Sequence, residues 1–254
     1  SRLIVNDIGP FTCQLFKHDP EKKILPYASS VLAELGGNFY ILTASHVTED
    51  WSDQNKLFVQ IHGGYISVVG HTRGTVIDKR HKIDCAYIKL DIRVVSELKK
   101  GNKFLTIDRL KGHRKMLEET NYCVFGYPTI NQKRINGKLK TISAAYFVQA
   151  SKEKVGEYYD FNPMSHFVLD FKGKGVDIKS GEKVKVKTEH YGLSGCGLWL
   201  IQIDDDGEKL LSEAKLIGIM TEFRKGKYEC LVGCKIEIIL LALREYEGLK
   251  FKAK

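Results

Sequence analysis

Tyr27-Ala28-Ser29-Ser30-Val31-Leu32-Ala33-Glu34-Leu35, then Gly36-Gly37, then Asn38-Phe39-Tyr40-Ile41-Leu42-Thr43-Ala44-Ser45, is the stretch that decides the fold class. Two β-type runs flank a double glycine, and such a pair supplies the positive φ angles of a tight hairpin turn. Working outward, 57–62 and 65–70 flank a second double glycine, Gly63-Gly64, and Cys85-Ala86-Tyr87-Ile88-Lys89-Leu90 reads as a further strand. Past residue 95 the texture changes. Residues 94–116 are rich in Lys, Leu and Arg, are broken by Gly101 and Gly112, and read as an irregular or partly helical connector.

Strands are expected again at 122–126, 141–150, 166–171, 197–202, 216–223 and 228–234, with Asp204-Asp205-Asp206-Gly207 as a turn signal between two of them. In 235–247 the apolar residues Ile236, Ile239, Leu240, Leu243 and Tyr246 recur at helical spacing, and Gly248 is a fitting stop. Two β-rich halves, a connector and one C-terminal helix argue for an all-β sandwich or barrel.

The 254 residues suffice for one large all-β unit or two small ones. The formal net charge of +9 comes from lysines scattered along the chain, and the densest stretch alternates with apolar residues, as in Val184-Lys185-Val186-Lys187. That pattern is a solvated strand face, so nucleic acid is not expected as a partner. No apolar run reaches the ~20 residues a membrane span needs, and Ser1 to Asp7 lack a signal-peptide layout. The six cysteines include no C-x-x-C pair and no zinc-type spacing, so buried free thiols are expected, as in a cytoplasmic protein. There is no G-x-G-x-x-G and no phosphate-cradling loop; neither metal nor cofactor is expected.

Three segments carry chemistry. Ile41-Leu42-Thr43-Ala44-Ser45-His46-Val47 is an apolar strand ending in small residues and a histidine. Ile83-Asp84-Cys85-Ala86-Tyr87-Ile88 places an aspartate just before a strand. Tyr191-Gly192-Leu193-Ser194-Gly195-Cys196-Gly197-Leu198-Trp199 sets a serine among glycines ahead of an apolar run. Each alone is usually a polar turn residue, a cap or a tight loop.

Together, and in this order, they resemble the chymotrypsin/trypsin-like serine peptidases. Thr43-Ala44-Ser45-His46 is similar to the T-A-A-H motif of that family, Asp84-Cys85-Ala86-Tyr87-Ile88 to D-I-A-L-L, and Gly192-Leu193-Ser194-Gly195 to G-x-S-G-G, with Cys196 replacing the last glycine. Phe125-Gly126-Tyr127-Pro128 resembles the G-Y-P segment of bacterial members, and Gly218-Ile219-Met220-Thr221 the strand along which substrate pairs. The resemblance implies two six-stranded antiparallel β-barrels with a C-terminal α-helix. It divides the chain into an N-terminal barrel, 1–105, carrying His46 and Asp84, and a C-terminal barrel, 106–254, carrying Ser194.

It implies a serine endopeptidase acting on a polypeptide substrate through the triad His46, Asp84 and Ser194, with the Gly192 and Ser194 amides as oxyanion hole. Thr188 would stand at the floor of the primary pocket, with Thr221, Glu222 and Phe223 along the substrate strand. The roles are physically coherent. A serine hydroxyl needs a base, imidazole suits neutral pH, and a carboxylate fixes the imidazole tautomer.

Digestive members carry an aspartate where Leu193 stands and begin with I-V-G-G, absent here; Val47 replaces their cysteine beside the histidine. An intracellular, bacterial-type member without a zymogen switch is expected. The rival reading is a silent or partner-activated peptidase fold that binds peptides or proteins, with an activating protein as partner. His190 also lies near Ser194, but along the chain it is too close to reach the hydroxyl easily.

Overall fold

The computed structural model describes residues 2–21, 23–49, 51–52, 55–75, 82–113, 121–129, 133–135, 138–171, 174–176, 183–185, 192–204 and 210–251. Thr188, His190, Tyr191 and the turn at 205–207 lie outside the described residues. Among the described residues 44% lie in strands and 21% in helices, so the fold is mostly β.

The first half contains the strands β1 (Thr12–His18), β2 (Ile24–Leu35), β3 (Asn38–Thr43), β4 (Leu57–Ile61), β5 (Gly64–Ser67), β6 (Gly70–Gly74) and β7 (Ala86–Leu90). Helix α1 (Arg2–Ile8) precedes them, α2 (Ser45–Thr48) follows β3, and α3 (Ile92–Leu98) follows β7. The second half contains β8 (Asn121–Gly126), β9 (Lys133–Ile135), β10 (Lys138–Lys140), β11 (Ala144–Ala150), β12 (His166–Asp170), β13 (Lys174–Val176), β14 (Lys183–Lys185), β15 (Gly197–Ile201), β16 (Lys215–Arg224) and β17 (Cys230–Lys235). Helix α4 (Glu153–Tyr158) precedes β12, and α5 (Ile236–Glu247) ends the fold.

The double-glycine hairpin forms as read. Leu35 pairs with Asn38, and Gly36 and Gly37 turn with φ of 59° and 76°, the left-handed values of a two-residue hairpin. Among the described residues the first sheet runs β5-β4-β1-β2-β3-β7-β6. Its edge strands β5 and β6 are separated by only Val68 and Val69. The Val68 N–H donates to Leu57 O (2.8 Å), whereas Val69 O accepts from Asp91 N–H (2.9 Å). One edge therefore bends directly into the other. Where a six-stranded N-terminal barrel is expected, the described residues form a curled half-barrel of seven strands, in which the bend divides one strand and no ladder among the described residues joins its two parts.

The second sheet does close. In the order β12-β17-β16-β15-β8-β11, β11 pairs back onto β12 with Gln149 opposite Asp170 and Ala150 opposite Leu169. This gives a six-stranded barrel, from which β13 and β14 extend beyond β11.

Alternation along the strands builds three apolar layers, because successive side chains of a strand face opposite ways. Leu32 of β2 and Ile41 of β3 fill the first sheet. Their neighbours Val31, Ala33, Tyr40 and Leu42 face a central layer shared with Phe125, Trp199 and Leu216. Beyond these, Val124, Leu198 and Leu200 fill the barrel. Strands buried on both faces explain why the sequence shows near-continuous apolar runs here.

Helix α5 seals the central layer with Ile236, Ile239 and Leu243, and Gly248 ends it at φ 65°. Glu247 ties the helix to the first sheet by accepting from Tyr87 Oη (3.0 Å) and Lys89 Nζ (2.8 Å). Among the described residues the connector is α-helical over α3 and takes one 3₁₀ turn at Ile107–Arg109. It passes from a bridge at Ala33–Leu105 in the first sheet to one at Leu110–Leu216 in the second. All six cysteines are buried free thiols. No helix among the described residues is long and apolar enough to cross a membrane.

Candidate active site

Strand register brings two of the three motifs together. Thr43, at the end of β3, pairs with Ala86, at the start of β7. Three residues on from Thr43 is His46, at the second position of α2; two residues back from Ala86 is Asp84. One carboxylate then holds the histidine twice. Asp84 Oδ1 accepts the His46 backbone N–H at 2.9 Å, and Asp84 Oδ2 meets His46 Nδ1 at 2.6 Å. The bond at Nδ1 leaves Nε2 as the ring nitrogen free to exchange a proton.

Burial favours the neutral ring and lowers the His46 pKa. The Asp84 hydrogen bond and charge, aided by the charges of Glu49 and Glu222, outweigh this and leave the imidazole pKa above its ordinary value. Asp84 is itself only 18% exposed, so solvent screens this attraction little.

Ser194 lies on a loop pinned from both sheets. The Gly195 N–H donates to Met220 O (2.7 Å), the Cys196 N–H to Leu193 O (3.0 Å) and the Ser29 N–H to Ser194 O (2.9 Å). Two glycines make this path feasible. Gly192 has φ +90°, and a Cβ there would stand 2.7 Å from Tyr127 O. Gly195 has φ +83°, and a Cβ there would stand 1.9 Å from Ser29 O and 2.3 Å from Thr43 Oγ1. Only glycine fits either position. The second contact also ties the motifs together, since Thr43 lies three residues before His46 and Gly195 directly follows Ser194. Among the described residues, neither the Gly192 nor the Ser194 N–H has a hydrogen-bond acceptor.

The Ser194 hydroxyl donates to Thr221 O at 3.2 Å, and among the described residues it makes no hydrogen bond to His46. A break in the β16–β17 register between Met220 and Glu222 leaves Thr221 as an extra residue, with its carbonyl turned to the serine. Thr221 Oγ1 is occupied by Val232 O (3.2 Å). Glu222 pairs with Arg224 at 2.9 Å and acts on His46 by charge. Phe223 packs edge-on against Phe171 with ring centroids 5.8 Å apart.

Leu193 is buried in the barrel layer with Tyr146, Leu198 and Met220. The loop is thus anchored by apolar burial. Cys196 is fully buried, and burial pushes its thiol up to about 12. It is a small neutral core residue at neutral pH.

Behind Asp84 lies a group the motifs did not disclose. The Asp84 N–H is directed at Cys234 Sγ (3.4 Å). The neighbouring Cys85 thiol and the buried His166 draw the Cys234 pKa down against the opposing effect of burial. A cavity of about 380 Å³ is lined by Phe11, Glu34, Lys99, Phe104, Arg109 and Glu213, none of them a site residue. Among the described residues no three His, Cys, Asp or Glu side chains cluster as metal ligands do.

No family model and no curated protein matches the chain. The resemblance therefore stands on the motifs and their geometry.

Proposed function

We propose that this chain is a serine endopeptidase of chymotrypsin-like architecture, with the curled half-barrel and the closed barrel as its two units. His46 Nε2 takes the proton of the Ser194 hydroxyl as Oγ attacks the scissile carbonyl. The carbonyl π pair moves onto oxygen, and the Gly192 and Ser194 amides stabilise the resulting oxyanion. Imidazolium, held by Asp84, returns the proton to the departing amine. Water then hydrolyses the acyl-enzyme by the same route.

The observation that carries this reading is the double hold of one carboxylate on His46, alongside a serine loop that only glycines can make. A second observation favours a partner- or substrate-triggered enzyme: the Ser194 hydroxyl donates to Thr221 O. A bound chain that engages the Thr221 carbonyl would free the hydroxyl to turn to His46.

A fluorophosphonate probe tests the proposal. Labelling mapped to Ser194, and lost in His46→Ala, is the expected result. Absence of labelling, alone and with polypeptide present, would rule out acyl transfer and leave a peptide-binding module. Ser194→Ala separates these readings in cells, because a binding module keeps its effects without the hydroxyl.

A further inference from the structure

Ser29 is fully buried on β2, in the sheet opposite the serine loop, and its hydroxyl and its amide are both used across that boundary. Its Oγ donates to Gly192 O (2.8 Å) and accepts the Tyr127 N–H (2.8 Å). Its N–H donates to Ser194 O (2.9 Å), and its carbonyl accepts from Thr43 Oγ1 (3.0 Å). Gly192 and Tyr127 lie 163 and 98 residues from Ser29 in the chain.

The surroundings fit this side chain closely. A Cβ on Gly126 would stand 2.6 Å from Ser29 Oγ, and one on Gly195 would stand 1.9 Å from Ser29 O. Ser29 thus fixes the 192–193 peptide through its hydroxyl and the 194–195 peptide through its amide. Between these two lies the peptide that carries the Ser194 N–H.

We propose that Ser29 is a positioning residue that keeps the oxyanion-hole loop formed before substrate arrives. This rests on the peptidase reading above. It gives the loop a polar anchor from the opposite sheet, complementing the buried Leu193. A hydroxyl at this depth has no water to replace a lost partner. Removing it leaves the Tyr127 amide without its acceptor and the Gly192 carbonyl with only the weak Cys196 thiol at 4.0 Å, and so loosens the loop about the glycine.

The test compares Ser29→Ala with Ser30→Ala. Ser30 is equally buried on the same strand, but its hydroxyl bonds to Cys13 and touches nothing in the loop. In Ser29→Ala, kcat and the rate of fluorophosphonate labelling fall about 10- to 100-fold, the scale of a slightly misplaced reacting group, with KM unchanged. Ser30→Ala keeps wild-type values. Ser29→Cys, with a weak donor of similar shape, falls between wild type and Ser29→Ala.

Amide hydrogen exchange reads the same claim without chemistry. The Gly195 and Cys196 amides exchange faster in Ser29→Ala, whereas those of β12 and β17 do not. Wild-type rates and wild-type exchange in Ser29→Ala or Ser29→Cys would overturn the proposal, and Ser29→Cys carries both readouts if Ser29→Ala does not fold. If the wild-type protein is not labelled at all, the peptidase reading fails, and the exchange comparison still decides whether Ser29 holds the loop.

Discussion

One carboxylate grips His46 twice, at its backbone amide and at Nδ1 of its imidazole, while the hydroxyl of Ser194 points to a backbone carbonyl on β16. The two halves of the candidate site are built by different means. The histidine half comes from strand register within one sheet, where neighbouring strands place two short loops side by side. The serine half depends on glycine conformations, a buried leucine and contacts from the opposite sheet. One carboxylate fixes the base, whereas packing, backbone bonds and the Ser29 hydroxyl together fix the nucleophile loop. Damage to the first half should therefore change the pH dependence of the chemistry, and damage to the second should change its rate at every pH.

The largest effect expected is for Ser194→Ala. It removes the attacking oxygen, so peptide hydrolysis should fall by about a million-fold, with an unchanged unfolding temperature. Next is Asp84→Asn, which should lower kcat by about ten-thousand-fold through the wrong imidazole tautomer. It should also move the acid limb of the rate profile to lower pH, because burial then acts on His46 without the opposing carboxylate. Leu193→Ala empties part of the barrel layer and should cost about 2–5 kcal/mol in denaturant unfolding. Activity in that variant should fall through the loop, with the His46 limb unmoved.

The smallest effect is on stability. The folded-state pKa of His46 is raised, so its ion pair contributes stability in full below the unfolded value of about 6.5. That contribution is lost as pH rises through the folded value. His46→Ala should flatten this part of the stability profile.

Much of this architecture was legible in the sequence, for identifiable reasons. Gly36-Gly37 announced its hairpin because φ values of 59° and 76° exclude most other residues. Gly192 and Gly195 marked the serine loop on the same ground, and Gly248 the end of α5. What escaped depended on distant partners. Helix α1 is short and rich in β-branched residues; it forms because Ile4 and Ile8 pack into the central layer and Asp7 holds Arg109 (2.8 Å). The open curl of the first sheet depends on a bend at Val68 and Val69; Gly70 beside it, where a Cβ would stand 1.9 Å from Lys89 O, is a requirement set by a distant strand. Ser29 looked like any strand serine, since its partner Gly192 lies on the other sheet. Cys234 and His166 lie on β17 and β12, far along the chain from Asp84, and only the fold sets Cys234 Sγ 3.4 Å from the Asp84 amide.

The central claim is that His46 activates Ser194, and the rate of fluorophosphonate labelling as a function of pH tests it most directly. The expected result is labelling at Ser194 that rises with deprotonation of a single group above pH 6.5, with that limb shifted down in Asp84→Asn. Labelling that is independent of pH, or that persists unchanged in His46→Ala, would contradict it.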